Sequence, residues 1–213
     1  TLNNVKISGR SYVGGLCSQA TSLGKSSDIE GIYIYAIGTG NYVGGIFGYT
    51  DGELNNVSAY QYSKEGKKSS DEETAYLVKG SYYVGGIIGQ YSGGGSTATT
   101  LTTTNSKIQG NNFVAGNIGY GSGNANILVS TNNEIAGTGN YIGGNVGYHG
   151  YTYNHITSLN NIVTGNNYVG GNIGASGWAN EYNLISENNK IKGKSYVGGC
   201  TGIGDNYYSY MQT

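Results

Sequence analysis

The sequence contains no proline and few charged residues, and each scarcity limits what the chain can be. Its 213 residues include 11 basic and 12 acidic side chains, which give a net charge of −1. This balance leaves no basic patch for nucleic acid or for an anionic membrane surface. Proline has no N–H to donate to a strand ladder, so its absence favours a chain of closely stacked strands.

Long apolar runs and clusters of catalytic groups are also missing. No run approaches the ~18 residues of a membrane helix. The acidic residues are scattered and Arg10 is the only arginine, so the chain offers no obvious hydrolase or lyase site. His149 and His155 have poor metal-ligand spacing, and we expect both to be exposed turn residues. We therefore predict neither enzymatic activity nor a cofactor.

Glycine and tyrosine are abundant instead, with 40 and 22 residues, and both follow a repeat. Seven times an aromatic residue is followed by Val or Ile and then by two small residues, at spacings of 30, 41, 30, 28, 27 and 28 residues. We call the seven aromatics the aromatic ladder: Tyr12, Tyr42, Tyr83, Phe113, Tyr141, Tyr168 and Tyr196. A period of this length is typical of stacked-repeat proteins.

Each repeat has the pattern of short strands separated by an Asn-marked bend and a Gly turn. About 28 residues suit one coil of a solenoid, whereas a propeller blade takes roughly 40. We predict an all-β fold, a parallel β-solenoid (β-helix) of about seven coils, three-sided and right-handed. It would form a single repeat domain over residues 1–213.

Stacking the coils predicts columns of equivalent residues at the ~4.8 Å strand spacing. The ladder aromatics should point at least partly outward, and the residues one and five positions later should point inward. An amide ladder is predicted at Asn105, Asn132, Asn160 and Asn188. Glycines such as Gly80 and Gly110 should provide turns at positive φ.

Two segments depart from the repeat. Residues 62–74 carry seven of the 23 charged residues (11 basic plus 12 acidic) and form an inserted loop. A loop of this kind is either a solvated excursion or part of a functional face. Residues 203–213 form a Tyr-rich tail.

The tracts Gly44-Gly-Ile-Phe-Gly48 and Gly85-Gly-Ile-Ile-Gly89 resemble the GLUG repeat of bacterial secreted and surface proteins, and Gly171-Asn-Ile-Gly174 does so too. The resemblance spans nearly the whole chain, but the Leu position of the family motif is Asn at 117, 145 and 172. It implies an extracellular, adhesin-like passenger or stalk, and it brings no catalytic residues.

Cys17 and Cys200 lie in the first and last repeats, six coils or roughly 29 Å apart, which is too far for an internal disulfide. They are either free thiols or an intersubunit bond in a head-to-tail stack. No cap helix is evident at either end, so the chain is either part of a longer array or a fibre subunit. Asn56 opens the only N-glycosylation sequon, Asn56-Val-Ser58.

The sequence therefore predicts a non-enzymatic structural module, a stalk or a head-to-tail fibre, at the cell surface. Its partners would be copies of itself or flanking repeats, with no nucleic acid and no membrane insertion. The alternative is an adhesin-type module that binds glycan or a host protein along the aromatic ladder or the 62–74 loop. A degenerate carbohydrate-active enzyme is a third possibility.

Overall fold

A computed structural model shows the chain as an all-β parallel solenoid. It describes residues 1–21, 28–60, 77–93, 97–177, 180–204, 207–208 and 211–212, and none of these is helical. Every strand pairing is parallel, and the strands form four sheets. The solenoid has four sheets where three sides were predicted. The chain bends at the small residues that follow each ladder aromatic, which separates a third sheet from a fourth.

Each coil contributes a strand to every sheet in turn. The first sheet comprises Leu2–Asn3, Ile29–Ile32, Leu54–Tyr60, Thr97–Thr104, Asn124–Thr131, Tyr153–Leu159, Asn180–Glu181, Leu184–Glu187, Tyr207–Tyr208 and Met211–Gln212. The second comprises Lys6–Gly9, Tyr35–Gly38, Leu77–Lys79, Lys107–Gly110, Glu134–Gly137, Ile162–Thr164 and Lys190–Lys192.

The third sheet carries the ladder repeat, and the fourth follows the glycine pair. The third comprises Val13–Gly14, Val43–Gly44, Tyr82–Gly85, Asn112–Ala115, Asn140–Gly143, Asn167–Gly170 and Ser195–Gly198. The fourth comprises Cys17–Ala20, Phe47–Thr50, Ile88–Tyr91, Ile118–Gly121, Val146–His149, Ile173–Ser176 and Thr201–Gly204. Three sheets thus have seven layers, which correspond to about six turns from first to last.

The register confirms both predicted inward columns. One is Val13, Val43, Val84, Val114, Ile142, Val169 and Val197. The other is Cys17, Phe47, Ile88, Ile118, Val146, Ile173 and Thr201. Members from the inner coils are buried, and they supply much of the apolar core. The predicted right-handed sense of the coils stays a prediction.

The bends use positive φ, but glycine does not provide it. Gly80 and Gly110 lie outside the left-handed region, and a Cβ on Gly80 would meet Cγ2 of Val43 at 2.7 Å. They are therefore glycines because the backbone approaches the valine column closely, which corrects the predicted reason. Positive φ belongs instead to the Asn bend residues and to all seven ladder aromatics, at 51–65°.

Of the two segments predicted to depart from the repeat, the structure describes only part of the tail. The inserted loop at 62–74 lies outside the described residues. In the tail, Ile203 and Gly204 belong to the last strand of the fourth sheet. Tyr207–Tyr208 and Met211–Gln212 then add two short strands to the first sheet.

Candidate functional site

The aromatic ladder runs through all seven coils on the outer surface. Consecutive rings stack from Tyr12 to Tyr196, with centroids 4.4–5.1 Å apart and planes inclined by 7–23°. The backbone positions each ring, since the N–H of Tyr12 donates to Asn41 and that of Tyr42 donates to Tyr82 in the next coil. The predicted outward direction is confirmed, because the five inner rings are half-buried.

A second set of aromatics from the fourth sheet borders the ladder. Tyr120 and Tyr148 stack on each other at 5.4 Å and meet the ladder rings edge-on at 5.5–6.3 Å. Burial, together with neighbouring tyrosines, raises the pKa of Tyr120. Burial and the adjacent Tyr12 and Tyr83 likewise raise the pKa of Tyr42. The phenols of Tyr42 and Tyr120 therefore favour the neutral form.

The stacking determines what the ladder can recognise. A sugar binds to an aromatic residue through the ring face, but both faces of every inner ring are covered by its neighbours. The inner rings present only their edges and hydroxyl groups outward. Free faces remain at the two ends, where Tyr12 is 39% and Tyr196 is 58% exposed. Most ring faces of the ladder are therefore buried in contacts between coils.

The predicted amide ladder is displaced by one residue. Asn132 and Asn160 are exposed bend residues with φ of 55°. The next residue in each coil points inward instead: Asn133 Oδ1 accepts from the Ser106 N–H, and Asn161 Oδ1 accepts from the Asn133 N–H, both at 2.7 Å. Asn188 follows the same pattern, since Asn189 Oδ1 accepts from the Asn161 N–H at 2.7 Å, whereas Asn105 is followed by the buried Ser106. A bend residue at positive φ resets the alternation of side chains in each case.

A second, fully buried amide ladder occupies the corner between the third and fourth sheets. Asn117 Nδ2 donates to Asn145 Oδ1 at 2.6 Å, and Asn145 Nδ2 donates to Asn172 Oδ1 at 2.9 Å. The Thr103 hydroxyl donates to Asn117 at one end, and Asn172 hydrogen-bonds with the Cys200 thiol at the other. The sequence contained the signal, since Asn replaces the motif Leu in three consecutive repeats.

His149 is buried, so the prediction of an exposed turn residue was wrong for it. Its Nε2 lies 2.8 Å from Glu181 Oε1 without hydrogen-bond alignment, and both side chains are inaccessible to solvent. Its Nδ1 donates to the Tyr151 carbonyl at 3.0 Å, and its ring stacks on Tyr153 at 4.1 Å. A substrate in solvent cannot reach this acid–base pair, which therefore belongs to the core.

The two cysteines are free and lie in different columns. Cys17 is aligned with Phe47, whereas Cys200 follows Asn172 at the corner. The Cys200 thiol contacts the Gln212 carbonyl at 3.3 Å, and burial raises the pKa of this thiol. A raised pKa disfavours the thiolate that disulfide exchange requires. The intersubunit bond stays a prediction without support from this geometry.

Asn56 is accessible to modification. It is exposed in the strand Leu54–Tyr60, and its Nδ2 donates to Asp28 Oδ1 at 2.9 Å. Glycosylation there stays a prediction.

Two other types of site were sought in the described part of the chain. Its His, Cys, Asp and Glu side chains form no group of three or more that could hold a metal ion. Among the same residues, no helix is long and apolar enough to span a bilayer.

Comparison of the chain with models of protein families, with curated proteins and with solved structures finds no match. The resemblance to the GLUG repeat is therefore carried by the motifs of this sequence alone.

Proposed function

We propose that the chain is a non-enzymatic structural module, a rigid spacer within an extracellular surface protein. The observation that supports this proposal is the stacking of the aromatic ladder on itself. Each inner ring uses both faces on its neighbours, so the most conspicuous surface feature already has a role in joining coils.

The interior supports the same proposal. Amide groups that could recognise a ligand are instead bonded from coil to coil, as in the Asn117–Asn145–Asn172 ladder. Asn145 also donates to the Thr157 carbonyl at 2.8 Å, which fastens the corner to the first sheet. Such bonds stiffen a stack without leaving groups free for catalysis. The extracellular placement draws its support from the GLUG resemblance.

The alternative is an adhesin-type module, and one observation favours it. The tyrosines of the ladder repeat with the period of the coils, interrupted only at Phe113, and their hydroxyl groups could bind a glycan or a protein by hydrogen bonds. The ring faces are not available for this purpose, so any such binding would depend on the hydroxyl groups.

A quadruple substitution, Tyr42, Tyr83, Tyr141 and Tyr168→Phe, separates the two functions. Phe113 already stacks on Tyr83 and Tyr141 in the native chain, so phenylalanine at the other positions should preserve the stack. The hydroxyl groups of the four tyrosines are lost. Glycan arrays and pull-downs from host extracts would compare this variant with the native chain. The structural proposal predicts the same binding profile for both. A ligand that the native chain captures and the variant does not would establish the adhesin function.

A deletion provides the matching structural test. Removal of residues 113–140 excises one 28-residue repeat and places Tyr141 directly after Asn112. A spacer should remain folded and become one coil shorter, which circular dichroism and small-angle X-ray scattering would detect. Collapse of the shortened chain would contradict the proposal that its coils are interchangeable spacing units.

A further inference from the structure

The first coil differs from all later coils in the second residue of its fourth-sheet strand. The second residue of each fourth-sheet strand packs its Cα against the backbone of the preceding coil. A Cβ at Gly119 would lie 2.5 Å from the Val84 nitrogen and 2.7 Å from the Gly89 carbonyl oxygen. The glycines at this position, which we call the glycine column, are Gly48, Gly89, Gly119, Gly147, Gly174 and Gly202.

Only the first coil breaks the glycine column, with Ser18. In all six glycines an added Cβ would lie within 2.8 Å of backbone atoms of the preceding coil, a distance that requires the backbone to move. Ser18 is exposed, and no described strand of the chain pairs with its strand on that side. If a second copy stacked in register there, the Ser18 Cβ would meet the backbone of its last coil, at Gly202 and its neighbours.

The charges of the two ends oppose the same contact. In the second sheet, the register carries one outer column from Lys6 to Lys190. Backbone hydrogen bonds carry a neighbouring column from Arg10 to Lys194. In-register stacking of two copies would therefore place Lys190 on Lys6 and Lys194 on Arg10.

The chain shows that charges in this column interact when they are opposite. Lys107 and Glu134 occupy adjacent coils of the Lys6 column and form an ion pair at 3.5 Å. A junction between copies would replace this arrangement with two pairs of cations at the same spacing. Lysine at the edge of a sheet is a known means of preventing association between sheet edges.

We propose that the first coil disfavours in-register stacking of a second copy of this chain, with the Ser18 side chain as the steric obstacle and like-charged columns beside it. The free face of Tyr196 could stack on Tyr12 of another copy, but that contact would also bring Ser18 against the glycine column. The end-to-end fibre is accordingly the disfavoured form of the structural module.

Sedimentation velocity tests this proposal. The native chain should sediment as a 22.2 kDa monomer. The variant Ser18→Gly, Lys6→Glu, Arg10→Glu removes the Ser18 side chain and pairs opposite charges between copies. It should associate at concentrations at least about tenfold lower than the native chain does. It should dissociate in 0.5 M salt, where a Debye length of ~3–5 Å weakens the ion pairs. Circular dichroism would verify that these exposed substitutions preserve the fold.

A matched control tests the effect of the Cβ atom at position 18 alone. The variant Ser18→Ala, Lys6→Glu, Arg10→Glu has the same charges but retains a Cβ, so it should remain monomeric. Two results would overturn the proposal. One is association of the native chain with cross-links between Lys6 and Lys190 of different copies. The other is a Ser18→Gly triple variant that associates no more than the Ser18→Ala control.

Discussion

Single residues in the ladder combine two opposing effects. Each aromatic lies at positive φ. Crowding of the Cβ makes this backbone conformation less favourable by roughly 1–2 kcal/mol than the usual negative φ. Each inner ring also stacks on two neighbours, and a stacked pair contributes about 0.5–1.5 kcal/mol. The two terms are similar in size, so the ladder residues hold a strained bend in place through their side chains.

Substitutions at Tyr141 separate these terms. Tyr141→Phe should change the unfolding free energy by less than about 0.5 kcal/mol, since it keeps the stack. Tyr141→Ala should destabilise by about 2 kcal/mol because it loses two stacking contacts and keeps the Cβ. Tyr141→Gly should be less destabilising than Ala by about 1 kcal/mol, since glycine adopts φ near 65° freely.

Urea unfolding of the three variants measures this order. Glycine in a strand is normally worse than alanine, so the reversed order is specific to the positive φ. If Gly proved as destabilising as Ala or more so, the claim of backbone strain at the ladder would be wrong.

Tyr153 illustrates a different residue-scale effect. Its hydroxyl is buried with no hydrogen-bond partner in the described part of the chain. Burial, and to a lesser extent Tyr91, raise its pKa well above the usual value. Above pH about 10, the unfolded chain therefore releases a proton that the folded chain keeps. The folded state is favoured below that pH and loses stability as the pH rises through it.

Tyr153→Phe removes both the unsatisfied hydroxyl and this titration. At pH 7 we expect the variant to be more stable by about 1 kcal/mol. Between pH 9.5 and 11.5 its unfolding free energy should fall less steeply than that of the native chain. Thermal unfolding across this range gives both values. A variant that is destabilised at pH 7 would show that the hydroxyl makes a stabilising hydrogen bond.

At the scale of strands and bends, the buried amide ladder couples three coils. Asn145 accepts from one neighbour and donates to another, so Asn145→Val leaves polar groups of Asn117 and Asn172 unsatisfied. Such a group costs about 1–3 kcal/mol when buried, whereas removing all its partners together is less costly. The triple change Asn117, Asn145, Asn172→Val should therefore destabilise less than the sum of the three single changes.

Equilibrium unfolding of the four variants tests this non-additivity. Single substitutions at the exposed Asn132 and Asn160 provide the matched controls, and their effects should simply add. Additive losses within the buried set would mean that the three amides act independently and not as one ladder.

Much of the element-scale structure follows from the sequence, and the failures share a cause. Val43, Val84 and Val114 align because the repeat sets their register, and this could be predicted. The inward Asn could not, because a bend residue at positive φ resets side-chain alternation, so Asn133 points inward and Asn132 does not. His149 was misassigned because alternation from the inward Val146 would place it outward, whereas the strand Val146–His149 buries both of its terminal residues.

The candidate site was only partly predictable. The outward direction of the aromatic ladder follows from alternation with the valine column. The stacking of the rings at 4.4–5.1 Å does not, since it depends on the angle at which each bend projects its ring. That angle supports the proposed structural role, because it covers the ring faces that a sugar would need.

At the scale of the whole molecule, the coils form an open stack with two different ends. Six steps of ~4.8 Å separate the first and last coils by roughly 29 Å. The inner coils are joined by backbone pairing, by the aromatic ladder and by amide ladders. The first coil carries Ser18 and two cations where the inner coils carry glycine and mostly neutral residues, and the proposed obstacle to in-register stacking of a second copy depends on this difference.

The distance between the two ends is the most direct test of this account. Spin labels at Lys6→Cys and Lys190→Cys, with Cys17 and Cys200 replaced by Ala, mark one column six coils apart. Labels at Lys107→Cys and Lys190→Cys mark it three coils apart. Pulsed electron paramagnetic resonance should give about 29 Å between backbones for the first pair and about 14 Å for the second. A first-pair distance equal to or shorter than the second would mean that the repeats close on themselves, and it would contradict the stacked solenoid.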